Sequence, residues 1–260
     1  MTISNKISLK KYKTGIIIQA RTGSKRFPKK ILTKIKNKNI LEIMISRLKM
    51  CFKNEDICVA TTTKKNDDKI VKITKKLGVK FYRGSENDVI NRFIRCAEKN
   101  NLTKIIRLTS DCPLVDPKLI IDLYKKQLSK KYDYSGNCYP YEKRTTPVGS
   151  DIEFFKLSFL KNIYKLNLTK YEREHLTPIL KKKKYNTYIF RTKIDNSNLR
   201  YTLDYKEDLV VIKKILNYLN KQKILGNTKQ IISFLKKNKN LIKINEHHVR
   251  NYYHKKINQI

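Results

Sequence analysis

The stretch GIIIQARTGSKRFPKKIL, Gly15 to Leu32, sets Arg21, Lys25, Arg26, Lys29 and Lys30 directly after an apolar run. Cations at that density beside one glycine and one serine suit a polyanion such as a triphosphate. Gly23 lets the backbone come close, while Arg21, Arg26 and Lys30 supply fixed charge. A solvated basic loop is the plainer alternative. Carboxylates follow in two further segments: Asp111 in IIRLTSDCPLVDP, and Asp204 with Asp208 in LRYTLDYKEDL. Two carboxylates beside a polyphosphate loop are what magnesium requires, because this hard cation prefers oxygen and is commonly shared between protein carboxylates and substrate phosphates. Each aspartate suits a helix cap equally well. The seven glycines form neither G-x-G-x-x-G nor the G-K-[ST] ending of a Walker loop, which excludes those two phosphate sites.

The elements that must position these residues read as an alternation. Gly15–Gln19 is a run of apolar side chains without period-two spacing, hence a short strand covered on both faces. The basic loop then lies at that strand's carboxyl end, where open α/β sheets bind ligands. Similar runs at Asp56–Ala60, Val79–Tyr82 and Lys104–Leu108 are separated by helical spacing, the pattern of a βαβ sheet. Ile40, Leu41, Met44, Ile45 and Leu48 share one helical face; Ile70, Val71, Ile73, Thr74 and Leu77 share another, ended by Gly78. A third helix is expected over Glu86–Lys99 with Ser85 as its cap, and a fourth opened by Asp116-Pro117. Asp111 follows its strand by three residues, and Asp204 ends an expected strand over Leu199–Leu203, so both carboxylates belong to the edge that carries the basic loop. Residues 132–151 read as an insertion, with strand character resuming at Asp151–Phe155. Helical segments follow near Leu157–Leu166 and Glu172–Lys182, then a strand near Tyr185–Thr192 and two or three closing helices. The expected organisation is an extension over 1–14, a single domain over 15–260 with a subdomain within 137–200, and carboxyl-terminal helices over 206–260.

A chain of 260 residues, 40% hydrophobic with 16 Tyr and 9 Phe, has the apolar surface for a globular core. The net charge of +38 raises nucleic-acid binding, since clustered cations release counterions from phosphates. However, 48 of the 60 basic residues are Lys, spread over nearly every segment alongside many Asn and Ile, as AT-rich codons favour. Most of this charge reads as a diffuse surface field that attracts anionic substrates, without a dedicated nucleic-acid site. Five Cys, odd in number and without a CxxC pair, fit reduced thiols in a cytoplasmic protein. His247, His248 and His254, near Glu246, have the spacing of metal ligands but are expected to be a solvated cluster in a Lys-rich tail. The first 14 residues lack the apolar core of a secretory signal, and no run approaches the ~20 apolar residues of a membrane span.

The basic loop resembles the signature loop of the cytidylyltransferases that activate sugar acids, most closely the SpsF-like branch named for spore coat polysaccharide. The likeness continues through VATTT at Val59, FYRGSENDVINRF at Phe81, IIRLTSDCPLVDP, VGSDIEFF at Val148, EREHLTP at Glu172, RYTLDYKEDL and LIKINEH at Leu241, nearly the whole chain in order. It implies a nucleotide-diphospho-sugar transferase fold, a Rossmann-like mixed sheet flanked by helices, and transfer of CMP from CTP to a sugar acid with release of pyrophosphate. On matching positions it implies that Arg21, Ser24, Arg26 and Lys30 hold the triphosphate, and that Asp111 and Asp204 hold Mg²⁺. Ala60 and Thr61 then line the base, and Gly84, Ser85 and Asp88 lie near the nucleoside. Arg107, Asp151, Glu153, Arg173, Glu174 and His175 face the sugar, although His175 before Leu-Thr-Pro equally suits a structural role. Lys29 stands where the loop usually has Gly, and Cys112 and Ser150 also depart from the pattern. CTP and a sugar acid are thus the expected partners, with no specific nucleic acid, no membrane, and a homodimer as one option. The remaining alternatives are another sugar or alcohol with a different nucleotide, a basic polyanion-binding protein, or a family member that binds nucleotide without turnover.

Overall fold

The computed structural model describes residues 6–130, 132–182 and 184–248. Its strands are β1 (Thr14–Gln19), β2 (Lys34–Ile35), β3 (Lys38–Asn39), β4 (Ile57–Thr62), β5 (Lys80–Gly84), β6 (Lys104–Thr109), β7 (Tyr134–Gly136), β8 (Glu153–Lys156) and β9 (Thr187–Ile189). The helices are α1 (Ile40–Lys49), α2 (Asp68–Lys76), α3 (Val89–Lys99), α4 (Pro117–Lys130), α5 (Leu157–Tyr164), α6 (Lys170–His175), α7 (Lys206–Lys221), α8 (Thr228–Lys237) and α9 (Lys239–Lys243). Seven strands form one sheet in the order β5-β4-β1-β6-β8-β7-β9, while β2 and β3 make a separate antiparallel pair. The four strands β5, β4, β1 and β6 run parallel, and β8 enters antiparallel to both β6 and β7. This mixed sheet with flanking helices is the α/β architecture expected from the sequence.

The chain leaves β1 toward β4 and β5, then returns to the other side of β1 as β6, so the topological switch lies beside β1. A ligand crevice is expected outside the carboxyl ends there. Burial on both faces explains the unalternating run: Ile16 and Ile18 enter one core with α1 and α4, while Ile17 enters a second with α3 and α5. Each fully buried side chain of that kind contributes about 1.5–3 kcal/mol. A third core gathers α7 and α8 around Leu199, Tyr201 and Leu203. Leu9, ahead of β1, is buried in the first core, and its N–H donates to Asp56 Oδ2 at 3.0 Å.

Three expectations need correction. The third helix begins at Val89, and its cap is Asp88, whose side chain accepts from Asn91 N; Ser85 Oγ instead accepts from Asp88 N at 3.0 Å. The segment over 199–203 is no strand of the sheet: Arg200 makes only an isolated bridge with Val148, because Leu199, Tyr201 and Leu203 are drawn into the third core. The helix expected over Glu172–Lys182 breaks into α6 and a 3₁₀ turn over Pro178–Lys181, with Leu176 at φ 59° between them. Leu176 is the residue that leaves α geometry, since Thr177 at φ -81° and ψ -24° keeps it, and Pro178, which has no N–H, cannot continue the hydrogen-bond ladder of α6.

Candidate active site

The loop after β1 is fastened before it can present any charge. Asp67 Oδ1 accepts from Thr22 N at 2.8 Å and Thr22 Oγ1 at 2.7 Å, while its other oxygen accepts from Thr62 Oγ1 at the end of β4. Lys29 N closes the loop on Thr22 O at 3.1 Å. Lys29 itself has φ 57°, the left-handed conformation that glycine adopts without steric cost, so the residue type that departs from the family pattern keeps a backbone that glycine would favour. Ser24 bonds within its own loop, its Oγ accepting from Phe27 N at 3.4 Å.

Lys30 turns inward and is nearly buried. Its ammonium donates to Asp111 Oδ2 and to Asp204 Oδ1, each at 2.7 Å. Arg26 also reaches Asp204 Oδ1, at 2.6 Å, from a more exposed position. Although Asp204 closes no sheet strand, it is brought to Asp111 by backbone: Leu203 N donates to Asp111 O at 2.8 Å, and Thr202 Oγ1 donates to the same oxygen at 3.1 Å. Arg200 and Asp208 complete the group. Arg200 Nη2 donates to Asp204 Oδ2 at 3.1 Å, and its guanidinium forks onto Asp208 with Nε at 2.8 Å and Nη2 at 2.9 Å. Burial alone would lower the Lys30 pKa, but Asp111 and Asp204 outweigh it and hold the ammonium above its ordinary value. Burial alone would raise both aspartates. Lys30 overcomes this at Asp111 despite the neighbouring Asp204 carboxylate, and Lys30, Arg26 and Arg200 together hold Asp204 far below the usual carboxylate range. Three carboxylates and three cations therefore balance within one cluster at the carboxyl edge.

Two other groups lie along that edge. Arg21 pairs with Glu174 at 2.9 Å and lies 3.8 Å from Glu86, which also pairs with Lys64. This joins the basic loop to α6. On the sheet's far side Arg107 binds Glu153 and donates to Gln19 Oε1 at 2.9 Å, while Tyr134 OH donates to Glu153 at 3.3 Å. Asp151 is engaged by the buried Arg144. Asp88, besides capping α3, accepts from Tyr164 OH at 3.0 Å and pairs with Arg173 at 3.2 Å. His175 lies against Tyr171, ring centroids 4.4 Å apart. Ala60 and Thr61 are fully buried at the end of β4, and Gly84 ends β5 where an added Cβ would come within 3.0 Å of Arg92 Cγ and Tyr82 Cε1.

Sequence reasoning singled out neither Arg200 nor Glu86, and gave Asp208 only as a helix start. The signal was present: Arg200, Asp204 and Asp208 recur at intervals of four, and a charge inside an apolar segment requires a partner. His248, expected in a solvated cluster, instead stacks on Tyr205 with centroids 3.7 Å apart and planes 5° apart. Its neighbour His254 lies outside the described residues, and among those described no group of three His, Cys, Asp or Glu is placed to hold a metal. The Asp111–Asp204 pair nevertheless fits a divalent cation shared with a ligand. The Lys30 ammonium sits at the point where one oxygen from each carboxylate converges, 2.7 Å from both. Remaining positions would come from phosphate oxygens and water.

A sequence model of the cytidylyltransferase family matches residues 15–248. The chain is 36% identical over 237 residues to an uncharacterized protein of Methanocaldococcus jannaschii, covering 88% of this chain and 93% of that one. It is 30% identical over 210 residues to the spore coat polysaccharide biosynthesis protein SpsF of Bacillus subtilis, covering 76% and 84% respectively. Among solved structures, a cytidylyltransferase from Leptospira borgpetersenii superposes with a TM-score of 0.81 at 37% identity, covering 88% of this chain and 96% of that one. A CMP:2-keto-3-deoxy-manno-octonic acid synthetase complexed with CTP shares the fold at a TM-score of 0.59 and 16% identity, with 79% and 98% covered.

Proposed function

The chain belongs to the cytidylyltransferase family, and from that premise we propose that it activates a sugar acid by transferring CMP from CTP, for a surface polysaccharide or glycoconjugate. The observation that carries this reading is the Lys30 ammonium held jointly by Asp111 and Asp204 at the carboxyl end of β1 and β6. In the proposed reaction the anomeric hydroxyl of a 2-keto-3-deoxy sugar acid attacks the α-phosphorus of CTP. A phosphorus–oxygen bond forms as the hydroxyl proton passes to solvent water, the α–β anhydride bond breaks, and pyrophosphate leaves with the electron pair.

Arg21, Ser24, Arg26 and Lys30 would bind the triphosphate, with Arg21 and Lys30 stabilising the negative charge that grows on the departing pyrophosphate. Both cations already have carboxylate partners, so nucleotide binding exchanges protein ion pairs for phosphate contacts. Asp111 and Asp204 would hold Mg²⁺, which supplies Lewis-acid neutralisation of phosphate charge when bound. Ala60, Thr61, Gly84, Ser85 and Asp88 would form the nucleoside side. Arg107, Asp151, Glu153, Arg173, Glu174 and His175 would form the sugar side, where the tied Arg107–Glu153 and Arg144–Asp151 pairs offer a preorganised wall. The test is pyrophosphate release with each of the four nucleoside triphosphates against a panel of sugar acids. Release with CTP and a 2-keto-3-deoxy acid is expected. Turnover confined to another nucleotide, or to acceptors lacking a carboxylate, would overturn the assignment.

A further inference from the structure

The carboxyl-terminal segment reaches the site through a residue that the reaction does not require to touch substrate. Asn245 is buried, and its Nδ2 donates to Asp208 Oδ1 at 2.8 Å and to the backbone oxygen of Arg200 at 3.3 Å. Both neighbours are acceptors, which fixes the orientation of the amide. Asp208 is itself fully buried, and its other oxygen accepts from the N–H groups of Asp204 and Tyr205 at 2.8 and 2.9 Å. Without Asn245 the Oδ1 atom would keep only Arg200 Nε, a partner that moves with the very fork whose position Asp208 sets. With Asn245 and Arg200 Nε on Oδ1, and Arg200 Nη2 and two amides on Oδ2, the plane of Asp208 is fixed. That plane fixes the Arg200 fork, and the fork holds Asp204 Oδ2, leaving Oδ1 aimed at Lys30. The same segment grips the chain again three residues later, where His248 stacks on Tyr205, the ring that also faces Arg26 at 5.4 Å.

We propose that Asn245 is a positioning residue for Asp204, acting through Asp208 and Arg200, so that the segment after α9 sets the geometry of the nucleotide and cation side of the site. This rests on the reading of Asp204 given above. A purely structural joint would also be buried and bonded, but it would act on stability alone. A positioning residue changes the affinity of the folded protein for what Asp204 holds.

The experiment compares the wild-type chain with Asn245→Ala and with Asn245→Leu, which removes the donor but keeps the branched four-atom shape of the side chain, so that one variant remains if truncation prevents folding. CTP binding is followed by calorimetry across a Mg²⁺ titration without acceptor, alongside melting curves and steady-state kinetics. Loss of one hydrogen bond to a charged group predicts that the CTP dissociation constant and the half-saturating Mg²⁺ concentration each rise about tenfold, with the acceptor KM unchanged. A folded variant with a lower melting temperature but wild-type CTP and Mg²⁺ constants would reduce Asn245 to a joint and overturn the proposal. Hydrogen exchange gives a second measurement on the wild-type protein without nucleotide. The Asp204 and Tyr205 amides should exchange as slowly as those of β6, and fast exchange there would overturn the proposal whichever nucleotide the protein uses. Absence of CTP binding by the wild type, with those amides protected, would instead sink the functional reading and leave the positioning chain intact.

Discussion

An ammonium held 2.7 Å from both Asp111 and Asp204 has consequences for stability and for catalysis that pH can separate. The two aspartates are held below their ordinary values, so their contribution to stability is complete above about pH 4 and is lost as pH falls through the folded-state values. Lys30 is held above its ordinary value, so its contribution is complete below about pH 10 and is lost as pH rises further. Lys30→Met leaves the carboxylates with one cation fewer. Since Asp111 is partly exposed and Arg26 and Arg200 remain on Asp204, the expected loss is about 1–3 kcal/mol at neutral pH. That loss should shrink on acidification, as the unpaired carboxylates take up protons; denaturant melts at pH 7 and pH 4 measure it. The same variant should weaken CTP binding, whereas Lys25→Ala should hardly change it. Asp111→Asn and Asp204→Asn ask a different question, because Asn caps a helix as well as Asp does. If both carboxylates hold one cation, each change costs several kcal/mol of transition-state stabilisation and the double change little more. Pyrophosphate-release rates near wild type in either single variant would remove that aspartate from the cation site.

Asp67 decides whether the elements around this site can present it. Lying just before α2, it ties the loop after β1 to the end of β4 through Thr22 and Thr62. Asp67→Asn keeps the size but removes the charge and turns one acceptor oxygen into a donor, so the charge-assisted bonds from Thr22 and Thr62 weaken or must reverse direction. A fall of about 1–3 kcal/mol in stability is expected, with a higher KM for CTP and a smaller change in kcat. An unchanged KM would mean that the loop holds its shape without this tie. The strands β1, β4 and β6 were legible because continuous apolar runs report burial on both faces, whereas β5 lies at the sheet edge and is only partly covered; Pro117 marked the start of α4 by its fixed φ and missing N–H. The 199–203 segment misled because Leu199, Tyr201 and Leu203 alternate as a strand does, while the core they enter belongs to α7 and α8, a long-range fact that local pattern does not contain. Ser85 and Asp88 are both good caps at plausible spacing, and only the turn that Ser85 Oγ closes on Asp88 N selects between them. The motif aspartates were found, but their arrest by Lys30 was not, since residues 81 and 174 positions apart meet only in the fold.

At the scale of the whole molecule, 60 basic against 22 acidic residues leave a net charge of +38, yet the cations of the candidate site are compensated: Arg21, Arg26, Lys30, Arg107 and Arg200 all have carboxylate partners. The excess charge therefore belongs to the lysine-rich surface, and acts on approaching anions as a field without forming a shaped site. Two measurements follow. CTP should bind more weakly as salt rises, but with a shallow slope, because the contacts that fix it lie in a partly buried cluster where screening is reduced. Duplex DNA, which meets only the surface, should bind without sequence preference and weaken much more steeply, since each neutralised phosphate adds about 0.9 to the slope of log affinity against log salt. The two ligands should also not compete, because the duplex has no route to Lys30 beneath the loop. Fluorescence titrations of a labelled duplex over a range of salt, with and without saturating CTP, separate the alternatives. Tight sequence-selective binding at about 150 mM salt, or displacement of the duplex by CTP, would mean that the cation-rich edge is a nucleic-acid surface and that the Asp111–Asp204 pair serves only to hold it together.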